Sequence, residues 1–243
     1  LTFVNVGGQG GRGLLPGSLD ELACAGLCQR LITSHFETFR RMLELAAAGG
    51  CELQCLPFGV IALLFDALRR GEDSVLTRVG IGTFLDPRSG RGSPVQGGRH
   101  EQLVRVERDR LRYHIPPINV ALFNVPAADH RGNLYVKNCA MIGDSHEIAH
   151  AAKRNGGLVI ANVGLLVDQG YDRVFLPGRM VDAIVCHPDT EQTAGFFHGD
   201  PWSAVTTHST GRIAEALEQA RLTRWLGEVT GGMAHRTAVD EAL

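Results

Sequence analysis

Three short segments combine residue types and spacings that could carry chemistry, and the first is glycine-rich. GQGGRG at residues 8–13 fits the pattern G-x-G-x-x-G and follows a strand-like run. In dinucleotide-binding folds such glycines admit a pyrophosphate at a helix N-terminus. Here Pro16 interrupts the expected helix, and the next strand ends in Ser34 and His35 instead of an acidic residue. The segment therefore favours a glycine-rich active-site loop, or a plain turn, over a nucleotide site.

The second segment is a literal H-E-x-x-H, formed by His146, Glu147 and His150. Two histidines one helical turn apart can bind zinc, and the glutamate between them can act as general base. The predicted helix is short, however, and the candidates for a third ligand, His187 and Glu191, lie in loops. A zinc-dependent hydrolase stays open as an alternative, while an ordinary helix face is favoured.

The third segment is GIGTFLDPR at residues 80–88, which follows a βα unit. Loops that leave the carboxyl ends of strands bind ligands in open α/β folds. Closely spaced backbone N–H groups in such a loop could hold an acyl oxygen or a carboxylate.

Alternating strands and helices must position these segments. Strand-like runs at residues 1–6, 30–34 and 51–56 alternate with helical patterns at 18–28, 37–48 and 60–68, the first of which Ser18 is expected to cap. This βαβαβα order predicts an α/β fold with an open, mainly parallel sheet and helices on both faces. A hairpin (103–106 with 111–115), strands at 119–125, 158–163 and 182–186, and a helix at 144–155 capped by Asp144 follow.

Composition excludes several classes of protein. The 243 residues are 44% hydrophobic, enough for a sizeable core, and the net charge of 24 − 26 = −2 argues against nucleic-acid or membrane-surface binding. No apolar run approaches the roughly 18–20 residues of a membrane span. The six cysteines include two C-x3-C pairs, Cys24/Cys28 and Cys51/Cys55, which could hold a metal but fit better as reduced, core-facing thiols of a cytoplasmic protein.

The segment GIGTFLDPR also resembles the G-x-G-T-F-x-D-P-R segment of the family I coenzyme A-transferases, the acetate, propionate and 3-oxoacid type. The resemblance extends over roughly residues 1–200 and includes segments in the family's order: LPFG at 56–59 in place of Pro-Gln-Gly, PINVAL at 117–122, ADHRGN at 128–133, GGLVIANV at 156–163 and PGRMVD at 177–182.

The resemblance implies an enzyme that moves coenzyme A between short-chain or 3-oxo carboxylic acids. Family members form a glutamyl-CoA thioester on a glutamate of their β half, with the CoA thioester as substrate and no permanently bound cofactor. This chain resembles the α half, so no catalytic nucleophile is assigned to it. The implied acyl-site residues are Phe58, Gly59, Gly80, Gly82 and Thr83.

Phe58 departs from the family, because it stands where the family has a glutamine. A phenyl ring cannot donate a hydrogen bond to an oxyanion. Either the donor comes from elsewhere, or the acyl pocket is bulkier and more apolar. A catalytically silent partner subunit is a further alternative.

The resemblance also predicts the organisation of the chain. Residues 1–200 form the α-half domain, without the first strand and glycine-rich loop of the family, and residues 201–243 form a helical linker toward a β half. We therefore expect a piece of a longer protein or a trimmed subunit. Its expected partners are acyl-CoA, carboxylates, a β half or subunit and further copies in a homo- or hetero-oligomer; neither nucleic acid nor membrane is among them.

Overall fold

The computed structural model describes residues 1–7, 10–11, 18–136 and 143–187. They divide into two compact units, one with residues 1–122 and 144–160, the other with 123–136, 143 and 161–187. The predicted linker at 201–243, the candidate ligand Glu191 and most of the glycine-rich segment at 8–13 lie outside the described residues.

A four-stranded sheet organises the first unit, in the order β1-β2-β3-β5. Strands β1 (Thr2–Val4), β2 (Arg30–Thr33) and β3 (Glu52–Cys55) are parallel, and β5 (Pro94–Gln96) is antiparallel to β3. The three predicted parallel strands are confirmed, each shorter than predicted by one to three residues.

Alternating side chains of β2 and β3 bury the two faces of this sheet against different helices. On one face Leu31 and Leu53 pack with Met42 of helix α1 (Arg40–Ala47). On the other face Ile32 packs in the same cluster as Val60, in helix α2 (Phe58–Arg70). The period-2 alternation of each strand thus places one helix on either side.

Helix α2 also contacts a three-stranded antiparallel sheet in the order β4-β7-β6. It consists of β4 (Ser74–Thr77), β6 (Val104–Glu107) and β7 (Arg110–His114). The hairpin β6–β7 was predicted and β4 was not. Helix α3 (Ser145–Arg154) contacts α2 as well and adds Ile148 to the shared core.

The second unit is built on a sheet in the order β11-β10-β8-β9. Its strands are β8 (Val120–Asp129), β9 (Leu134–Tyr135), β10 (Leu158–Val167) and β11 (Ala183–Cys186); β8 and β10 begin among residues of the first unit. β11 lies within the strand predicted at 182–186, and its side chains are exposed or half-buried, which does not suit a core strand.

A turn between β8 and β9 closes on the carboxylate of Asp129, as the sequence ADHRGN predicts. The carboxylate accepts hydrogen bonds from the amides of Arg131 and Asn133, each at 2.9 Å, and from the Tyr135 hydroxyl at 2.8 Å.

The prediction of a helix at 18–28 is wrong, because only a short 3-10 turn (Leu19–Leu22) forms and Ser18 makes no side-chain cap. Asp20, within this turn, instead interacts with helix α1. Its carboxylate accepts hydrogen bonds from the backbone amides of Arg41 (2.8 Å) and Met42 (2.9 Å), which lie in the first turn of α1. Asp144 is the N-cap residue of α3 but likewise makes no side-chain cap hydrogen bond.

The cysteine pairing also differs from the C-x3-C prediction. Cys24 is exposed, whereas Cys28 is buried and its Sγ lies 3.4 Å from the Sγ of Cys51. The pair therefore joins the segments that enter β2 and β3, with Cys55 half-buried at the other end of β3.

The predicted α/β class is confirmed, with mixed parallel and antiparallel sheets. Within the part of the chain that the structure describes, no helix has the length and apolar character needed to cross a membrane.

Candidate functional site

The carboxyl ends of β1, β2 and β3 lie side by side at one edge of the first sheet. The amide of Asn5 donates to Ile32 O and the amide of Leu56 to Thr33 O, both at 3.1 Å, so parallel pairing continues up to this edge. Ligands bind at such edges in open α/β sheets. The residues that leave it are therefore the candidate site.

Phe58 and Gly59 begin α2 directly after β3. Pro57 precedes them in an extended conformation as the N-cap residue. The Phe58 side chain is strongly exposed, at 60%, and a Cβ on Gly59 would meet no atom within 4 Å. An apolar ring beside an uncovered glycine gives this edge an open, apolar surface. The acyl-lining role of both residues stays a prediction.

The segment at 80–88 is closed on the carboxylate of Asp86. This buried group accepts from the amides of Gly82 (3.1 Å) and Arg88 (3.0 Å) and from the Arg88 guanidinium at 2.8 and 2.7 Å. The Arg88 hydrogen bonds, followed by those of the two amides, hold the pKa of Asp86 well below its usual range. The carboxylate thus engages the Gly82 amide, one of the N–H groups that could hold an acyl oxygen.

Thr83 and Gly80 also have partners inside the segment. The Thr83 hydroxyl donates to Gly80 O at 2.7 Å, and Tyr113 donates its hydroxyl to Val79 O at 2.7 Å. A Cβ on Gly80, whose φ is +91°, would overlap the Tyr113 hydroxyl. These contacts explain the residue types at 80–83, and the acyl-site role of Gly80, Gly82 and Thr83 stays a prediction.

A polar group formed by Ser34, His35 and Glu37 follows β2 at the edge from which Phe58 also leaves. The Ser34 hydroxyl donates to Val6 O by a short bond, and its oxygen lies 2.8 Å from His35 Nδ1. His35 Nε2 lies 3.3 Å from the Glu37 carboxylate. From the sequence alone, Ser34 and His35 argue only against a nucleotide site. The signal that could have found them is a polar pair directly after a buried strand.

Two polar side chains beside this group have no hydrogen-bond partner among the residues that the structure describes. They are the buried Thr33 Oγ1 and both polar atoms of the Asn5 side chain. Asn5 and Thr33 follow the register pair Val4–Ile32 on adjacent strands. Buried polar groups normally have hydrogen-bond partners. This strand edge therefore has more buried polar atoms than the described residues satisfy.

A buried network on β3 holds the segment after β5. Glu52 accepts from the amides of Arg99 (2.8 Å) and His100 (3.0 Å), from the His100 ring (3.1 Å) and, by a short bond, from Gln54. Burial alone would raise the pKa of Glu52, but these hydrogen bonds outweigh it and lower the pKa. The network anchors the backbone at 99–100 to the sheet.

The H-E-x-x-H residues lie on α3, as predicted. The rings of His146 and His150 are 4.2 Å apart between centroids, and His150 Nδ1 lies 2.9 Å from His146 O, so its N–H donates to that carbonyl. Among the residues that the structure describes, no group of three or more His, Cys, Asp or Glu side chains could hold a metal ion.

Comparison with known proteins gives this edge a context. The chain is similar to caffeate CoA-transferase from Acetobacterium woodii, at 30% identity over 190 residues, which cover 74% of this chain and 36% of the relative. It is similar to acetate CoA-transferase YdiF from Escherichia coli K12, at 27% identity over 235 residues, which cover 91% of this chain and 42% of the relative.

A solved structure agrees with both. The crystal structure of the acyl-CoA transferase YdiF apoenzyme from Escherichia coli O157:H7 matches with a TM-score of 0.71 and 28% identity, over 79% of this chain and 38% of that one. The sequence and the structure of this chain are thus similar to those of family I coenzyme A-transferases. The predicted resemblance is thereby confirmed at the level of the family.

Two further facts qualify this similarity. The chain spans about two fifths of the length of these CoA-transferases. In addition, the family model described as malonate decarboxylase, alpha subunit, transporter matches residues 109–212.

Proposed function

We propose that the protein containing this chain transfers coenzyme A between carboxylic acids. The observation that carries the proposal is the match to acetate CoA-transferase over 91% of the chain, supported by the structural match to an acyl-CoA transferase. A second crystal structure of that transferase, similar to this chain at 26% identity over 86% of it, is described as a thioester complex with CoA. Acyl-CoA and free carboxylate are accordingly the proposed substrates.

Within that protein, the chain contributes an α half and a β half supplies the nucleophile. In the proposed reaction a glutamate of the β half attacks the acyl carbonyl and expels the CoA thiolate, which leaves a mixed anhydride. The thiolate then attacks the glutamyl carbonyl of this anhydride, which gives a glutamyl-CoA thioester and releases the carboxylate of the donor acid. The open strand edge around Phe58 and Gly59 is the surface at which this chain would meet the acyl group.

Phe58 gives the proposed acyl site an apolar wall. Its exposed ring can contact an acyl chain, whereas a glutamine would offer an amide that needs a polar partner. We therefore propose acyl groups with a hydrocarbon portion beyond acetyl as the preferred substrates.

The test is an exchange assay with the complete protein, encoded by the full gene. Acetyl-, acetoacetyl- and butyryl-CoA are each incubated with a different free acid, and the new acyl-CoA is measured by chromatography. Transfer supports the proposal, and its absence from every pair refutes it. Residues 1–243 expressed alone serve as the comparison and should not catalyse transfer, because the proposed nucleophile belongs to the β half.

The match to a malonate decarboxylase subunit favours a second candidate. The chain would then belong to a decarboxylase and handle a malonyl thioester. Release of CO₂ from malonyl-CoA or malonate by the complete protein, without exchange between monocarboxylic acids, would favour that candidate over the first.

A further inference from the structure

An open cavity lies along the outer strand β5 of the first sheet. Its volume is about 570 Å³, and it is lined by Arg91, Pro94, Val95, Gln96, Gly97 and Gly98. Because β5 is the last strand in the order β1-β2-β3-β5, one side of it has no strand neighbour in this sheet. Small-molecule sites are typically cavities of roughly 300–1,000 Å³ that combine apolar walls with a few polar groups.

The segment that carries Arg91 runs beside the carboxyl end of β3. The amide of Cys55, the last residue of β3, donates a hydrogen bond of 2.7 Å to Ser93 O. Phe58, the first residue of α2, follows Cys55 by three positions. The cavity and the proposed acyl site therefore adjoin the same end of this strand.

Hydrogen bonds to the 80–88 turn fix the backbone on both sides of Arg91. The amide of Gly90 donates to Asp86 O at 2.7 Å, and the amide of Gly92 donates to Phe84 O at 3.0 Å. Gly92 has a φ of +79°, and a Cβ there would overlap the side chain of Gln102. Arg91 is thus held in place at one end of the cavity.

This segment carries positive charge that it does not neutralise itself. Residues 87–100 include three arginines and neither aspartate nor glutamate. Arg88 is paired with Asp86. Arg91 and Arg99 are exposed, and their guanidinium groups make no ion pair or hydrogen bond with any residue that the structure describes. Since a guanidinium is always protonated, both groups are cations at neutral pH.

The carboxylates next to this segment are already engaged. Glu52 is buried and accepts the four hydrogen bonds described above. Glu101 pairs with Arg105 at 3.4 Å and with His114 at 3.2 Å. An anionic ligand at Arg91 would therefore displace no carboxylate from that guanidinium.

The lining of the cavity fits a phosphorylated ligand with a flat apolar portion. Guanidinium groups bind phosphate oxygens through paired hydrogen bonds. Gly98 is exposed, and a Cβ there would meet no atom within 4 Å, so its backbone is open to a ligand. Pro94 and Val95, the latter 46% exposed, provide an apolar wall. A nucleotide combines the two chemistries.

We propose that this cavity binds the nucleotide end of acyl-CoA, with a phosphate group on Arg91 and the adenine against Pro94 and Val95. The inference rests on the proposed function, and it assigns the CoA portion of the substrate to a part of this chain distinct from Phe58 and Gly59.

The first experiment measures binding to the complete protein by isothermal titration calorimetry. The ligands are CoA, pantetheine, which lacks the nucleotide, and inorganic phosphate. Arg91→Ala should weaken the Kd for CoA about tenfold, the lower end of what a charged hydrogen bond contributes. Arg91→Lys should lose less, because it keeps the charge but not the paired hydrogen bonds. Added salt should narrow the difference between wild type and Arg91→Ala.

Arg110→Ala is the matched control. Arg110 is an exposed arginine at the start of β7 and does not line the cavity, so its loss changes the net charge equally. Its Kd for CoA should stay at the wild-type value. Thermal unfolding of each form shows whether the variants are folded.

The second experiment measures exchange kinetics with two donors, acetyl-CoA and acetyl-pantetheine. Arg91→Ala should raise the KM for acetyl-CoA about tenfold, in line with the loss of one charged hydrogen bond, and leave kcat near the wild-type value. With acetyl-pantetheine the two forms should have the same KM, because this donor has no nucleotide to place. A merely structural role of Arg91 would affect both donors alike.

Each remaining outcome decides one claim. A Kd for CoA in Arg91→Ala within twofold of wild type overturns the inference and leaves the proposed function intact. Equal losses in Arg91→Ala and Arg110→Ala, or equal affinity for inorganic phosphate and CoA, also overturn it. Absence of exchange in the wild type removes the proposed function, and calorimetry with CoA then still decides the role of Arg91 separately.

Discussion

The amide of Gly82 donates a hydrogen bond of 3.1 Å to the carboxylate of Asp86, four residues further along the same turn. The turn thus carries its own anion, which Arg88 neutralises with two hydrogen bonds. The Asp86 carboxylate accepts hydrogen bonds both from the backbone and from the Arg88 guanidinium. These bonds account for the aspartate and the arginine at the end of the segment, and no ligand is needed to explain them.

Asp86→Asn should lower the midpoint of thermal unfolding. The amide keeps one acceptor oxygen for the Gly82 and Arg88 donors but loses the charge that the guanidinium requires. Differential scanning calorimetry of the complete protein measures the change. Asp109→Asn is the control, because its ion pair with Arg78 is long (3.9 Å) and exposed, and such pairs contribute little. Equal midpoints for the two variants would contradict the role of Asp86.

Phe58→Gln should shift acyl preference toward smaller and more polar groups. The substitution removes an exposed aromatic surface and adds an amide that needs a partner. The measurement is kcat/KM across acetyl-, acetoacetyl- and longer acyl-CoA. Leu63→Gln, at an exposed apolar position of the same helix, is the matched control and should leave the profile unchanged. An unaltered profile for Phe58→Gln would show that the ring does not face the acyl group.

Asp129 should make the protein more sensitive to acid. Burial would raise the pKa of its carboxyl, but hydrogen bonds from Asn133, Tyr135 and the turn amides lower it from 3.8 to about 2. A depressed folded-state pKa contributes stability above pH 3.8, which is lost as the pH falls through about 2.

Asp129→Asn removes that ionisation. Its free energy of unfolding should therefore be lower than that of the wild type at pH 7, and the difference should shrink between about pH 4 and pH 2. Urea unfolding at a series of pH values measures it. A constant difference across this range would show that the ionised carboxylate is not what stabilises the turn.

The cysteines should differ in reactivity by position. Cys24 and Cys186 are exposed, whereas Cys28 and Cys51 are buried against each other. In the native protein, iodoacetamide should alkylate Cys24 and Cys186 before Cys28 and Cys51, which mass spectrometry of tryptic peptides can measure. The same reaction in denaturant, where all six cysteines are accessible, is the control. Alkylation of Cys28 or Cys51 at the rate of Cys24 would refute the buried pairing.

The H-E-x-x-H residues should bind no zinc. His150 Nδ1 is already engaged by His146 O, and the described part of the chain offers no third ligand near the two histidines. Elemental analysis of protein dialysed against zinc should give the same low content for wild type and His150→Ala. One zinc per chain that disappears in the variant would overturn this prediction.

Periodicity in the sequence predicts the elements whose partners are near in the chain. Strands β2 and β3, helix α2 and the β6–β7 hairpin follow directly from alternation, helical spacing and turn residues. β4 could not be predicted from the sequence. All four of its side chains are half-buried, so no alternation is visible, and the strand is stabilised by pairing with β7, more than thirty residues away. The helix predicted at 18–28 failed because tertiary contacts use Asp20 to cap a different helix.

The site was predictable only in part, for a related reason. Residues 58–59 and 80–83 could be predicted because they lie in sequence motifs that resemble those of a known family. The Ser34–His35–Glu37 group is contiguous in the sequence, but its contact with Val6 O depends on the pairing of β1 with β2, and a single histidine among ten carries no such information.

The hydroxyl of Tyr113 donates to Val79 O at the start of the 80–88 turn. Burial, and secondarily the charge of Asp86, raise the pKa of this phenol to about 12. The chain has three tyrosines, so the ultraviolet absorbance of phenolate is a simple signal in alkaline solution. Tyr113 can therefore report on its own surroundings: its ionisation is held back while the ring stays buried beside Asp86, and ionisation at lower pH indicates that this burial has been lost.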